Sequence, residues 1–407
     1  MKTTTSLAIV LVAGALFADA VPVTAPEEMR KVPFIYCSDL FHPAMDPDDH
    51  FDLAAVFRLK EFDVKAVILD GHIDRPGQDQ LTGGGRVPLE QMMEICGYRV
   101  PFAIGLKRKL LDPEDKALDD DPRFLAGVNL IIKVLRESPV PVTLKLSTGT
   151  DFAVVYNREP ELVRQKVKAV YLNAGHGRGG ESKEYNVTLD PVGFERVFQT
   201  GVKLYWNPCW GDIGYNNYFR IADQHVLFET CSLPLKRFFA YAFQKPDADP
   251  IAFIRDQTEP ELPHMKRDMW SPPVLAHAAG RRVYRRGEGD FLWLTPAAAK
   301  RMGLEGRECR AYGYVPVRVV PISRGAIREA PKTGVLDVSF HSEHPNAQIF
   351  RQDHPDYAKI MTSCLTCIRT IRDGRHAQIW HCADKLVVVN YLRFAGKGSR
   401  LGDKQRN

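Results

Sequence analysis

Five aspartates, Asp39, Asp46, Asp48, Asp49 and Asp52, fall between positions 39 and 52, directly after the apolar run Val32-Pro33-Phe34-Ile35-Tyr36-Cys37-Ser38. Carboxylates that close together repel one another and resist ionisation unless a cation lies among them. Their oxygens are the ligands that hard cations prefer, so Ca²⁺ or Mg²⁺ is the expected occupant. A bound cation lowers the pKa of a water molecule and positions it, while a neighbouring Asp takes the proton. The bland alternative is an acidic first turn that complements a helix dipole. Dipole complementation seldom calls for five acids.

Hydrophobic patterning says what must hold these acids. Apolar runs at 64–69, 100–104, 142–147, 169–173 and 202–206 alternate with amphipathic stretches at 88–98, 124–135, 159–167 and 191–200. Strands apolar throughout and separated by helices imply a mostly parallel sheet covered on both faces, an α/β fold. Ligands in such sheets sit beyond the carboxyl ends of the strands. Asp39, Asp70, Thr148, Asn173 and Asn207 all fall at such ends. From about Arg281 the character changes to β-rich pieces at 315–322, 335–340 and 385–391, with a helix near 357–371. We expect an α/β domain over 30–282, a C-terminal extension packed on it over 283–395, and a disordered basic tail at 396–407.

The bulk numbers narrow the class. Lys2, the apolar core Leu7–Phe17 and Ala18-Asp19-Ala20 read as a secretory leader over 1–20 cleaved near Ala20, which implies a secreted or periplasmic protein. The remaining sequence has no long apolar stretch that would span a membrane. A formal net charge of +5 with scattered basic residues is no nucleic-acid signature. Eight cysteines are too sparse for a disulfide scaffold. Cys364 and Cys367 lie within the expected helix, where packing is the better account than zinc or redox chemistry. A Cys209–Cys231 pairing is compatible with the sequence.

Several segments, taken together and in order, resemble the inosine/uridine-preferring nucleoside hydrolase family. That family opens with a strand running into an Asp-rich loop, D-x-D-P-G-x-D-D-A, which binds Ca²⁺ and ribose. Asp39 looks like its metal-bridging Asp and general base, Asp49 like its bidentate ligand, and Asp48 like the acceptor of a ribose hydroxyl. The segment VTLKLSTGTDFAVVYNREP is similar to the family's strand, T-G-x-L-T-N turn and helix, with Thr148 offering a backbone carbonyl to the metal. KEYNVTLDP is similar to A-E-F-N-x-x-x-D-P and puts Glu184 and Asn186 where the family contacts ribose. MWSPPVLA resembles the M-H-D-P-x-x-x-A helix start. The resemblance implies Ca²⁺-dependent hydrolysis of the N-glycosidic bond of a nucleoside-like small molecule, in a protein compatible with homo-oligomerisation.

The chain also departs from that pattern. Ser271 stands where the last metal-binding Asp is expected, and Trp270 where the preceding His often protonates the leaving group. His72 replaces a ribose-side Asn. Asp268 is an alternative metal donor, and His176 an alternative proton donor. The aromatic segment Trp206–Tyr218 could stack on a nucleobase or simply pack. These departures leave a second reading, a catalytically silent calcium- and sugar-binding protein that keeps the fold.

Overall fold

Val32–Ser38 has almost no polar side chain and becomes β1, buried along nearly its whole length. Its alternating side chains feed two cores, Phe34 and Tyr36 on one face and Ile35 and Cys37 on the other. The computed structural model describes residues 31–44, 46–70, 84–177, 184–212, 214–229, 231–321 and 336–368. The leader at 1–20, His72, the strand expected at 385–391 and the tail at 396–407 lie outside the described residues.

β1 pairs in parallel with β2 (Phe62–Leu69) on one side and β4 (Val142–Leu146) on the other. β3 (Phe102–Ile104) extends the β2 side, while β5 (Val167–Leu172) and β6 (Leu204–Trp206) extend the β4 side, all parallel. Helices Asp48–Arg58, Arg86–Cys96 and Leu233–Gln244 cover the Phe34 face through Phe51, Leu89 and Phe238. Helices Ala126–Glu137, Thr150–Arg158 and Pro191–Val197 cover the other through Val128, Phe152 and Val192. The α/β class with a mostly parallel, doubly covered sheet is as expected. No helix among the described residues is long and apolar enough to cross a membrane.

Two small antiparallel ribbons follow, β7 (Phe219–Ile221) with β8 (Arg267–Met269) and β9 (Arg282–Gly287) with β10 (Asp290–Leu294). The C-terminal strands then continue the main sheet. β13 (Ala347–Gln352) lies parallel to β6, and β11 (Tyr312–Pro321) and β12 (Leu336–Phe340) add antiparallel beyond it. The sequence pattern indicated β11 and β12 but not β13, a short strand whose partner β6 is far away in the chain. It also gave no sign of Leu233–Gln244, whose apolar residues crowd around most of the helix because it is packed on several sides.

One close approach fixes the sheet's mouth. A Cβ at Gly149, just past β4, would lie 2.3 Å from the Gly193 carbonyl oxygen, so only glycine lets the turn meet the helix Pro191–Val197.

Candidate active site

The strand ends and the start of the helix Asp48–Arg58 enclose a cavity of about 290 Å³. That is at the lower end of the range for small-molecule sites, roughly 300–1,000 Å³. Asp39 reaches it from the end of β1, and Asp48, Asp49 and Asp52 from the first turns of the helix. Ser271, Trp270, Glu184 and Asn186 also line it. Thr148 is buried nearby but does not line the cavity, whereas its neighbour Ser147 does. Asp268 lies on β8, bound by Arg220 at 2.6 Å and by the Tyr218 hydroxyl at 2.8 Å, and is not part of the wall. His176 is not on the wall either; its backbone bridges to Trp210.

The acids differ in what they already hold. Asp48 and Asp49 occupy the first turn of their helix, yet no side chain caps that helix. The Ser38 hydroxyl donates to Asp49 Oδ1 at 3.0 Å. Burial, then repulsion from Asp49, pushes the Asp48 carboxyl well up. Burial and Asp39 do the same to Asp49. Asp52, one turn on, is raised by burial to about 6, with the Ser271 hydroxyl pulling the other way. Its Oδ1 is buried without a hydrogen-bond partner. Ser271 sits at the N-cap of Pro272–Ala278 but makes no cap bond there. Glu184 lines the same cavity, but Gly175, Asn186 and Val187 N–H groups donate to its carboxylate at 2.8–3.2 Å. Asn186 donates to the Asn173 carbonyl at 3.0 Å.

Two polar wall residues, Lys145 and His50, were not picked out from sequence. Lys145 stands in the all-buried strand β4, beside Tyr36 in the ladder, and sends its ammonium into the cavity wall. The signal was visible: a lysine in an otherwise apolar buried strand needs a reason. His50 is buried at the wall, and among the described residues neither ring nitrogen has a hydrogen-bond partner. Burial and the neighbouring His42 lower it to about 3, so it is a neutral hydrogen-bonding group. Asp52 was one of the five acids but drew no role.

The mouth is aromatic. Trp210, 40% exposed, meets Trp270 edge-on at 5.5 Å and Tyr218 at 4.8 Å. The Trp270 indole N–H donates to the Cys209 carbonyl at 2.9 Å, which leaves it no proton for a leaving group. Trp206, from the same segment, is wholly core. No disulfide joins Cys209 to Cys231.

The donor chemistry of Asp39, Asp49 and the Thr148 carbonyl is that of a hard-cation site. Among the described residues no three His, Cys, Asp or Glu side chains close on a common point. Ser271 contributes a neutral hydroxyl, and the ammonium of Lys145 shares the wall with the carboxylates.

Known proteins resemble this chain in part of its sequence and in its fold. No family model matches. A stretch of 129 residues, 30% of this chain, is 36% identical to the pyrimidine-specific ribonucleoside hydrolase RihA of Enterobacter sp. (strain 638), and spans 39% of that protein. The resemblance read from the motifs holds. RihA of Salmonella newport (strain SL254) is 39% identical over 87 residues, 20% of this chain and 28% of its own length. The chain thus matches well under half the length of these relatives. A solved plant nucleoside hydrolase aligns over 82% of this chain and 99% of its own at 14% identity, with a TM-score of 0.49.

Proposed function

We propose that this protein hydrolyses the N-glycosidic bond of a nucleoside-like ribosyl compound. One observation carries the reading: Asp39, Asp48, Asp49 and Asp52 line one cavity together with the aromatic pair Trp210 and Trp270. Cleaving such a bond passes through an oxocarbenium-like sugar, which nearby carboxylates stabilise. Water attacks the anomeric carbon as the carbon–nitrogen bond breaks. Asp39 accepts the water's proton, and the departing base takes one from solvent at the open mouth. Asp48 is placed to accept a sugar hydroxyl, and Trp210 offers a face for the base to stack on. Resemblance to the ribonucleoside hydrolases supports the same substrate class. A leader that exports the protein is part of this proposal.

Calcium dependence is the competing refinement. In its favour, burial and mutual repulsion raise Asp48 and Asp49, as a site awaiting a cation would. Against it stand the neutral Ser271 and the ammonium of Lys145, so no step here is routed through an ion.

The test is incubation of the full chain with purine and pyrimidine nucleosides and an assay of free ribose. Release above an Asp39→Ala control supports hydrolysis. Ligand-dependent stabilisation without release, across the whole panel, would instead favour a sugar-binding protein.

A further inference from the structure

We propose that Lys145 supplies from within the chain the positive charge this acidic pocket needs, so that the site operates without a divalent cation. The second half of that statement rests on the hydrolase reading; the first rests on geometry alone.

β4 is buried at every residue, and Lys145 is itself 1% exposed. A fully buried lysine is among the rarest of placements, because an ammonium without compensation is strongly disfavoured away from water. Its direct partners are modest. Nζ donates to Ser147 Oγ at 2.8 Å and lies 5.1 Å from the centre of the Tyr36 ring. Among the described residues it forms no ion pair within 4.0 Å. A hydroxyl and a ring face do not replace an ammonium's water shell, so the compensation must come from the carboxylates around the cavity it lines.

The ladder explains how it gets there. Lys145 sits opposite Tyr36, three residues before Asp39, in the parallel pair β1–β4. Ser38, between them, donates to Asp49. The ammonium therefore lies on the sheet side of the acids, between the ends of β1 and β4. Its field also opposes the upward push on Asp49, Asp52 and the nearby Asp70.

A lysine at a cavity wall could alternatively grip an anionic substrate. Asp39, Asp48, Asp49, Asp52 and Glu184 share that wall and would repel any anion. Serving the acids is the role left. A single tethered charge suits a wall on which Ser271 offers a neutral hydroxyl, where a divalent ion would find the ammonium in its way.

The test compares wild type, Lys145→Met and the double variant Lys145→Met with Asp52→Asn. Each is melted in excess chelator and in millimolar calcium chloride, and wild-type ribose release is measured in both. Wild type should melt within about 1 °C in the two buffers, with ribose release unchanged by chelator. Lys145→Met should melt at least about 3 °C lower in chelator and recover with calcium, now the only cation for those acids. The double variant should regain stability in chelator, because one uncompensated carboxylate has gone. If Lys145→Met does not fold in chelator, its folding in calcium and the recovery of the double variant support the proposal equally. Wild type losing several degrees on chelation would overturn the proposal. So would a Lys145→Met protein indifferent to calcium, or a double variant no more stable than the single one. If wild type releases no ribose in either buffer, the hydrolase reading fails, while the melting comparison still decides where the pocket's charge comes from.

Discussion

Two sets of carboxylates stand at helix starts in this protein, and they do opposite things. Asp190 opens the helix Pro191–Val197, and its oxygens accept from Gly193 N–H at 3.0 Å, Thr150 Oγ1 at 2.7 Å and Leu110 N–H at 3.3 Å. Glu184 is used in the same way by three backbone N–H groups. Asp48 and Asp49 open the helix Asp48–Arg58 and cap nothing. Position separates them: Asp190 and Glu184 are N-cap residues whose oxygens accept from backbone N–H groups, whereas Asp48 and Asp49 lie inside the first turn after the N-cap Pro47 and cap nothing. It also separates Glu184 from its neighbours on the cavity wall, although the sequence grouped them together.

The largest effect that should follow lies in the set that caps nothing. Asp48→Asn should lower ribose release by roughly 10²–10³-fold while leaving the melting temperature equal or higher, since it removes a buried, repelled charge. A large loss of stability in that variant would erase the contrast.

Asp151 tests the middle ground, with Oδ1 held by Leu106 N–H at 3.2 Å and Oδ2 buried without a partner. Burial raises it to about 7 from an ordinary 3.8. A folded value above the unfolded one means the protonated native form is favoured at low pH. Its contribution is complete below about pH 4 and is lost as the pH rises through 7. Denaturant unfolding at pH 4.5 and 7.5 should show Asp151→Asn losing less stability over that interval than wild type, by up to a few kcal/mol.

Asp190→Ala should destabilise by about 2 kcal/mol, through a lost cap and stranded donors. Turnover per folded molecule should persist, because Asp190 does not line the cavity. Smallest of all, Trp210→Ala should raise KM for nucleosides roughly 5-fold with kcat nearly unchanged, as expected for one stacking contact near 1 kcal/mol. An equal fall in kcat would move Trp210 from binding the base into the chemical step.

Much of this was legible beforehand. Buried strands announce themselves by mostly apolar runs, and β1, β2, β4 and β5 all did. The acids were legible because their spacing sets them at a strand end and on a helix start. Lys145 was passed over because a single charge in VTLKL does not disturb a strand pattern, and only the ladder against Tyr36 places its ammonium at the acids. Asp52 hid within an acidic run whose members look alike until the Ser271 hydroxyl is found beside one of them. β13 hid because its pairing with β6 spans more than a hundred residues, beyond the reach of any local signal.

That strand has a practical bearing on how the molecule can be handled. Cutting the gene after the hydrolase-like segments, near Arg282, would strip β13, β11 and β12 and leave β6 with a bare row of amide and carbonyl groups beside Tyr205 and Trp206. Such unprotected edges recruit other chains. A shortened version should collect in inclusion bodies, and the pocket's stability is thus tied to residues that never approach it.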